Sequence, residues 1–134
     1  NMEQTLSIIK PDAVERNLDN EIKEIFKSKG FSIIKEKKIQ VEKIEAEKFY
    51  KVHETKPFYD DLCTYLSSGP IVVMILEKEN AVLSNRELMG ATNPTNAAQG
   101  TIRKKYGISI DKNSVHGSDS LENAKKEIQF FFKD

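Results

Sequence analysis

Residues 71–77 read IVVMILE, an uninterrupted apolar run ended by a glutamate and preceded by the turn pair Gly69-Pro70. A stretch this apolar and this short, opened by a turn, reads as a central buried β-strand. Working outward, TLSIIK at 5–10 is a second β-rich run, stopped by Pro11, whose ring fixes φ and removes a donor. Between them Ile22, Ile25 and Phe26 recur at helical spacing and Gly30 closes the pattern, which predicts an amphipathic helix over about 19–29. FSII and KIQV around the charged KEKK predict a strand over 31–41 with an exposed stretch. Ala46, Phe49, Tyr50 and His53 share a helical face that Pro57 ends, and 58–66 predicts another short helix. After the central run, 80–88 reads as a helix and GATNPTNAAQG (90–100) as a long ordered loop with a helical turn. A short strand is expected over 106–110 and a last helix over 119–132. The order matches a βαββαβ, ferredoxin-like α/β (α+β) plan: a four-stranded, mainly antiparallel sheet with helices packed on one face.

Length and composition set the bounds. The 134 residues suit one domain over 1–134, and no repeat or linker breaks the chain. Lys+Arg and Asp+Glu are equal at 21 each, so no overall field draws the protein to nucleic acid or a membrane. An anionic ligand must therefore be held by a local cluster of cations. Cys63 is the only cysteine, which excludes an intrachain disulfide and a Cys-based zinc site. Its apolar neighbours predict a buried thiol. The longest apolar run is far below a membrane span, and no signal-peptide pattern precedes the first strand. Asn1 before Met2 has the look of a cloning remnant, and a reducing cytoplasm is the expected compartment. Neither GxGxxG nor GxxxxGK[ST] occurs, which excludes Rossmann and P-loop nucleotide sites.

The segment NSVHGSDS (113–120) carries the chemistry. His116 is followed by a glycine, which gives the imidazole an uncrowded face. Asp119 with Glu122 three positions later predicts a capping-box helix start, so His116 would stand just ahead of a helix N-terminus that favours an anion such as phosphate. Imidazole, largely neutral at pH 7, can act as a nucleophile. Three further fragments stand with it: IIKPD (8–12), KPFYDDL (56–62), and GATNP (90–94) with GTIR (100–103). Lys10, Arg86 and Arg103 are cations at or beside element ends; Thr92 offers a hydroxyl, Asn113 an amide, and Phe58 an aromatic face. That inventory suits a nucleotide: cations for phosphates, polar groups for the sugar and a ring for the base.

Taken in order and spacing, these fragments resemble the nucleoside diphosphate kinases, in their short bacterial-type form, over essentially the whole chain. The resemblance implies transfer of the γ-phosphate of a nucleoside triphosphate, usually ATP, to a nucleoside diphosphate such as GDP. The transfer would be ping-pong, through a phosphohistidine formed at Nδ1 of His116. It further implies that Arg86, Thr92 and Arg103 contact phosphates, with His53 and Tyr50 close by. Phe58 would stack on the base and Ile110 cover its other face, while Lys10 and Asn113 bind the ribose hydroxyls. Glu127 would orient the imidazole through its other nitrogen, and Ser118 join that network. Mg²⁺ would arrive on the nucleotide phosphates, without direct protein ligands, Asp119 reaching it through water.

The family assembles as tetramers or hexamers built from dimers. This chain ends soon after Phe130–Phe132 without the longer tail of many members, and Lys104-Lys105 replaces a small-plus-acidic pair. Those departures leave tetramer or hexamer open. Two rivals predict different chemistry. A regulatory or nucleic-acid-binding ferredoxin-like domain would present basic, aromatic-interleaved sheet, and the RRM signature is absent. An inactive nucleotide-binding scaffold would have lost the histidine or a phosphate-binding arginine.

Overall fold

The computed structural model describes residues 2–133. Strand β1 (Met2–Ile9) stops where Pro11 opens the short helix α1 (Pro11–Glu15), and helix α2 (Asp19–Ser28) follows. Strand β2 (Ser32–Ile39) precedes helix α3 (Lys43–Phe49), whose capping box is built by Glu42 and Glu45. A 3₁₀ turn, Lys51–His53, leads to helix α4 (Tyr59–Leu66), strand β3 (Ile71–Glu79) and helix α5 (Ala81–Met89). The chain then runs through the long 90–100 loop, which contains the 3₁₀ turn Pro94–Asn96. Helix α6 (Ile102–Tyr106), strand β4 (Val115–Gly117) and helix α7 (Leu121–Phe131) complete it.

The sheet order is β2-β3-β1-β4. All three pairings are antiparallel, Ile8 standing opposite both Val73 and His116. This is the ferredoxin-like arrangement expected. One detail differs: helices cover both faces of the sheet. Val72, Met74 and Leu76 pack with Ile22, Phe26, Ala81, Met89 and Ile102 on one side. Ile71 and Val73 pack with Ala46, Cys63, Leu66 and Phe131 on the other. The run 71–76 has no polar alternation because neither of its faces meets water. Each such buried aliphatic side chain contributes about 1.5–3 kcal/mol relative to exposure. Cys63 is free and fully buried, as its neighbours predicted, and burial pushes its thiol pKa up.

Two local expectations are corrected, and one short helix was not expected. The fourth strand is not at 106–110: Tyr106 ends α6, and Ile108 and Ile110 project into solvent, 58% and 54% exposed. Their alternation mimics a strand, but the sheet's edge is made by Val115–Gly117, too short to show a period of its own. The five-residue α6, capped by the Thr101 hydroxyl accepting from Lys104 N–H at 3.3 Å, is too short for a helical period. The cap of α7 is Ser120, not Asp119: its hydroxyl accepts from Asn123 N–H at 3.1 Å. Asp119 instead takes the Asn123 side-chain amide at 2.6 Å.

Candidate active site

His116 sits on β4 rather than at a helix entrance, and its ring lies on the face of the sheet that α3 and α7 cover. Its Nε2 lies 3.1 Å from Oε1 of Glu127 on α7. A carboxylate only accepts, so Nε2 carries the hydrogen and the neutral ring presents its lone pair at Nδ1. The Ser118 hydroxyl donates to the same Oε1 at 2.8 Å and accepts from Leu6 N–H at 3.3 Å, tying Glu127 to the sheet backbone. Phe49 meets the imidazole edge-to-face at 5.4 Å and Tyr50 at 6.4 Å. The ring is thus fixed from α7, from the end of α3 and, through Ser118, from β1.

The glycine after the histidine has a different reason from the one expected. A Cβ on Gly117 would collide with Asn85 and Met89 of α5, so its bare side admits the helix. That close crossing brings Arg86, next to Asn85, to the cavity onto which His116 opens.

The cavity has a volume of about 1130 Å³ and gathers Lys10, Tyr50, His53, Phe58, Arg86, Thr92, Arg103, Ile110, Asn113, His116 and Asp119. Only Glu127 and Ser118 of the sequence-predicted residues stand outside its lining, behind the imidazole. Phe58 (46% exposed) and Ile110 (54% exposed) present open apolar surface to it, which is what a flat ligand ring needs. His53 stands between Tyr50 and Phe58, with ring centroids at 6.3 and 5.8 Å. Burial drives the Tyr50 hydroxyl's pKa up, so it stays protonated.

Two of the three site cations, Lys10 and Arg103, are buried, while Arg86 is exposed. Arg103 is buried, one Nη donating to Gly90 O at 3.0 Å and the other to Val115 O at 2.8 Å. Burial first, then the nearby Arg86 charge, draws its pKa down to about 10. Lys10 is buried as well and donates to Asn113 Oδ1 at 3.0 Å. Burial and then the Arg103 charge lower its pKa to about 8, against weaker support from Asp12 and Asp111. Both shifts have one cause: positive charge held away from water without a matching anion, which an entering phosphate would supply. Asn113 is fully committed through its amide N–H groups, to Thr92 O and Ile110 O at 3.1 Å each. One lone pair of its Oδ1 remains for a ligand.

Sequence reasoning missed a buried cluster behind this wall. Asp12, two residues after Lys10, accepts from the hydroxyls of Tyr65 and Ser114 and from Arg16. The KPD triplet pointed at it, but partners 53 and 102 positions away left no local pattern.

For a metal the donor set is sparse. Among the described residues no group of three or more His, Cys, Asp or Glu could hold an ion by itself. The cavity's carboxylates are Glu87, Asp111 and Asp119. Such a site fits a hard cation that brings most of its oxygen ligands with it.

The chain is similar to known proteins along nearly its whole length. The family model described as nucleoside diphosphate kinase matches residues 3–134. A nucleoside diphosphate kinase of Campylobacter fetus is 60% identical over 131 residues, covering 98% of this chain and 96% of that protein. One from Geobacter sulfurreducens is 58% identical over the same span and shares. The crystal structure of the Aquifex aeolicus nucleoside diphosphate kinase superposes with a TM-score of 0.97 at 39% identity, over 99% of this chain and 96% of that one. That of Encephalitozoon cuniculi gives 0.95 at 38%, over 98% and 90%.

Proposed function

The chain belongs to the nucleoside diphosphate kinase family, and from that premise we propose that His116 is the group that carries the phosphoryl cargo. The protein is an enzyme that transfers phosphate from nucleoside triphosphates to nucleoside diphosphates. The observation that carries the assignment is the pairing of His116 Nε2 with Glu127, which leaves Nδ1 as the free nucleophile of a ring opening on a cation-lined cavity.

The Nδ1 lone pair attacks the γ-phosphorus, the N–P bond forms, and the bond from phosphorus to the β,γ-bridging oxygen breaks. The nucleoside diphosphate leaves with that oxygen. No proton need move: Nε2–H stays on Glu127, whose negative charge offsets the positive charge that develops on the ring. A second diphosphate then binds in the same pose and reverses the step. Because phosphoryl transfer has a loose transition state, the protein's task is positioning and charge stabilisation. Arg86 and Arg103 bind phosphate oxygens, the latter pre-aimed by its two carbonyl partners, and Thr92 adds a hydroxyl. Lys10 and Asn113 take the ribose hydroxyls, and Phe58 and Ile110 hold the base without reading it. Tyr50 and His53 complete the wall between the ring and the base site.

The divalent ion would be Mg²⁺, carried in on the nucleotide phosphates, with Asp119, one of the three wall carboxylates, reaching its water shell. When bound, it neutralises charge on the phosphate oxygens. The enzyme assembles from dimers into a tetramer or hexamer; the outer backbone row of the edge strand β2 suits pairing with a second copy. It works in the cytoplasm, a compartment that suits its free thiol. No helix among the described residues is long and apolar enough to cross a membrane.

The test is incubation with γ-labelled ATP and Mg²⁺. Wild type takes up acid-labile, base-stable label and passes it to added GDP, whereas His116→Ala does neither. Equal labelling of the variant would remove the assignment.

A further inference from the structure

Ser114 stands two residues before His116 with φ of 74°, a left-handed conformation uncommon for any residue but glycine, asparagine or aspartate. Val115 N–H closes back on Asn113 O at 2.9 Å, so Ser114 is the centre of a classic γ-turn, a rare and strained form. Such a turn persists only where its surroundings over-determine it. Here they do. Ser114 is fully buried, and its carbonyl accepts from Lys10 N–H at 2.8 Å. Its hydroxyl donates to Asp12 Oδ2 at 2.9 Å and accepts from Arg16 Nη2 at 3.3 Å.

The anchor is itself fixed. The Asp12 side chain is 3% exposed; besides Ser114 it takes Arg16 Nη2 at 3.1 Å and the Tyr65 hydroxyl. The Tyr65 hydroxyl in turn accepts from Asp12 N–H at 2.8 Å. Arg16 reaches on to Tyr106 O at 2.7 Å, the end of α6 and the start of the loop that leads back to Ser114. The buried Asp12 carboxylate therefore grips both ends of the 107–114 loop, one of them through Arg16.

We propose that the Ser114 hydroxyl is a positioning residue, whose bond to Asp12 holds the γ-turn that aims Asn113 and, through it, the ammonium of Lys10. The chain of contacts is continuous: hydroxyl to carboxylate, turn to Asn113, and Asn113 Oδ1 to Lys10 Nζ at 3.0 Å. His116 lies on the strand that starts directly after the turn, but its ring is held separately by Glu127, Phe49 and Tyr50. Loss of the hydroxyl therefore acts on the sugar end of the nucleotide and spares the nucleophile. The inference rests on the phosphohistidine reading and on Lys10 and Asn113 as the ribose contacts.

The experiment compares wild type with Ser114→Gly and Ser114→Ala. Alanine removes only the hydroxyl but keeps a Cβ at the positive φ, whereas glycine removes the whole CH₂OH group and adopts that backbone without strain. A loss common to both therefore belongs to the hydroxyl and not to conformational tolerance. The readout is the ratio of kcat/KM for ADP as acceptor to that for 2′,3′-dideoxy-ADP, beside the rate of His116 labelling at saturating ATP. Both variants lower the ratio by about fivefold, through KM for ADP, while labelling changes less than about twofold. Asp12→Asn lowers the ratio too, and the Asp12→Asn/Ser114→Ala pair loses no more than the worse single change. A Ser114→Gly protein with the wild-type ratio overturns the proposal alone. Wild type that takes no label on His116 overturns the reading beneath it as well.

Discussion

Replacing Glu127 separates the geometry of the imidazole from its charge. The His116–Glu127 contact of 3.1 Å is a hydrogen bond to an ionised acceptor, a class that contributes about 1.5–3 kcal/mol. The Glu127 side chain is 21% exposed, so solvent screens it and the lower end, about 1.5 kcal/mol, applies. At roughly 1.4 kcal/mol per factor of ten, Glu127→Ala should slow phosphorylation of His116 about tenfold. The same change leaves the Ser118 hydroxyl, donor to Oε1 at 2.8 Å, without its acceptor. Glu127→Gln keeps an oxygen that can accept from Nε2–H and so keeps the tautomer; it loses only the charge that offsets the phosphorylated ring, and about threefold is expected. The assay is rapid-quench phosphorylation by excess ATP, followed to the plateau, which reports the chemical step without product release. An alanine variant as fast as wild type would refute the orienting role. A glutamine variant as slow as alanine would show that charge, not ring geometry, is what Glu127 supplies.

Lys10 gives a pH prediction: since its pKa in the free enzyme is about 8, ADP affinity should be flat below that pH and fall by up to about tenfold per unit above it. Calorimetric titration should show this slope in wild type and none in Lys10→Met, which binds more weakly throughout. The same lowered pKa means the unfolded chain holds this proton longer, so the Lys10 contribution makes apo stability rise with pH between about 8 and 10.5. Gly117→Ala drives a Cβ into Asn85 and Met89, and overpacking of this kind costs about 1–3 kcal/mol. Its Tm should drop and recover in part with Asn85→Ala, whose own cost is small because both amide atoms of Asn85 lack hydrogen-bond partners; no drop would disprove the close crossing. Phe58→Ala should weaken adenine, guanine and pyrimidine nucleotides alike, by about tenfold, from a stacking loss of about 1–2 kcal/mol. A loss confined to purines in competition binding would contradict base-indifferent stacking.

Much of the fold could be read because long periodic elements carry their own signature. The run 71–76, the Ile22–Phe26 spacing and the Gly30 stop each matched an element of the structure. The fourth strand could not be read, since three residues have no measurable alternation and the neighbouring Tyr106, Ile108 and Ile110 alternate better while lying outside the sheet. Cover on both faces was implicit in six apolar residues without a polar interruption. At the site, Lys10, Phe58, Thr92, Arg103, Asn113, His116 and Asp119 fall within the four quoted fragments, whereas Tyr50, His53, Arg86 and Ile110 lie outside them and, Arg86 apart, enter only through the family resemblance. What stayed hidden is the support. Asp12 holding Ser114, Asn85 against Gly117 and Phe49 edge-on to His116 all join residues far apart in sequence, and no single segment shows both members of such a pair.

The central claim, that one imidazole shuttles the phosphoryl group, is tested most directly by asking which nitrogen holds it. Protein phosphorylated by ATP, digested under alkaline conditions and mapped by fragmentation mass spectrometry with ³¹P NMR, should carry the group on His116 at Nδ1, because Glu127 occupies Nε2. Phosphate on Nε2, or on any other residue, would contradict the account.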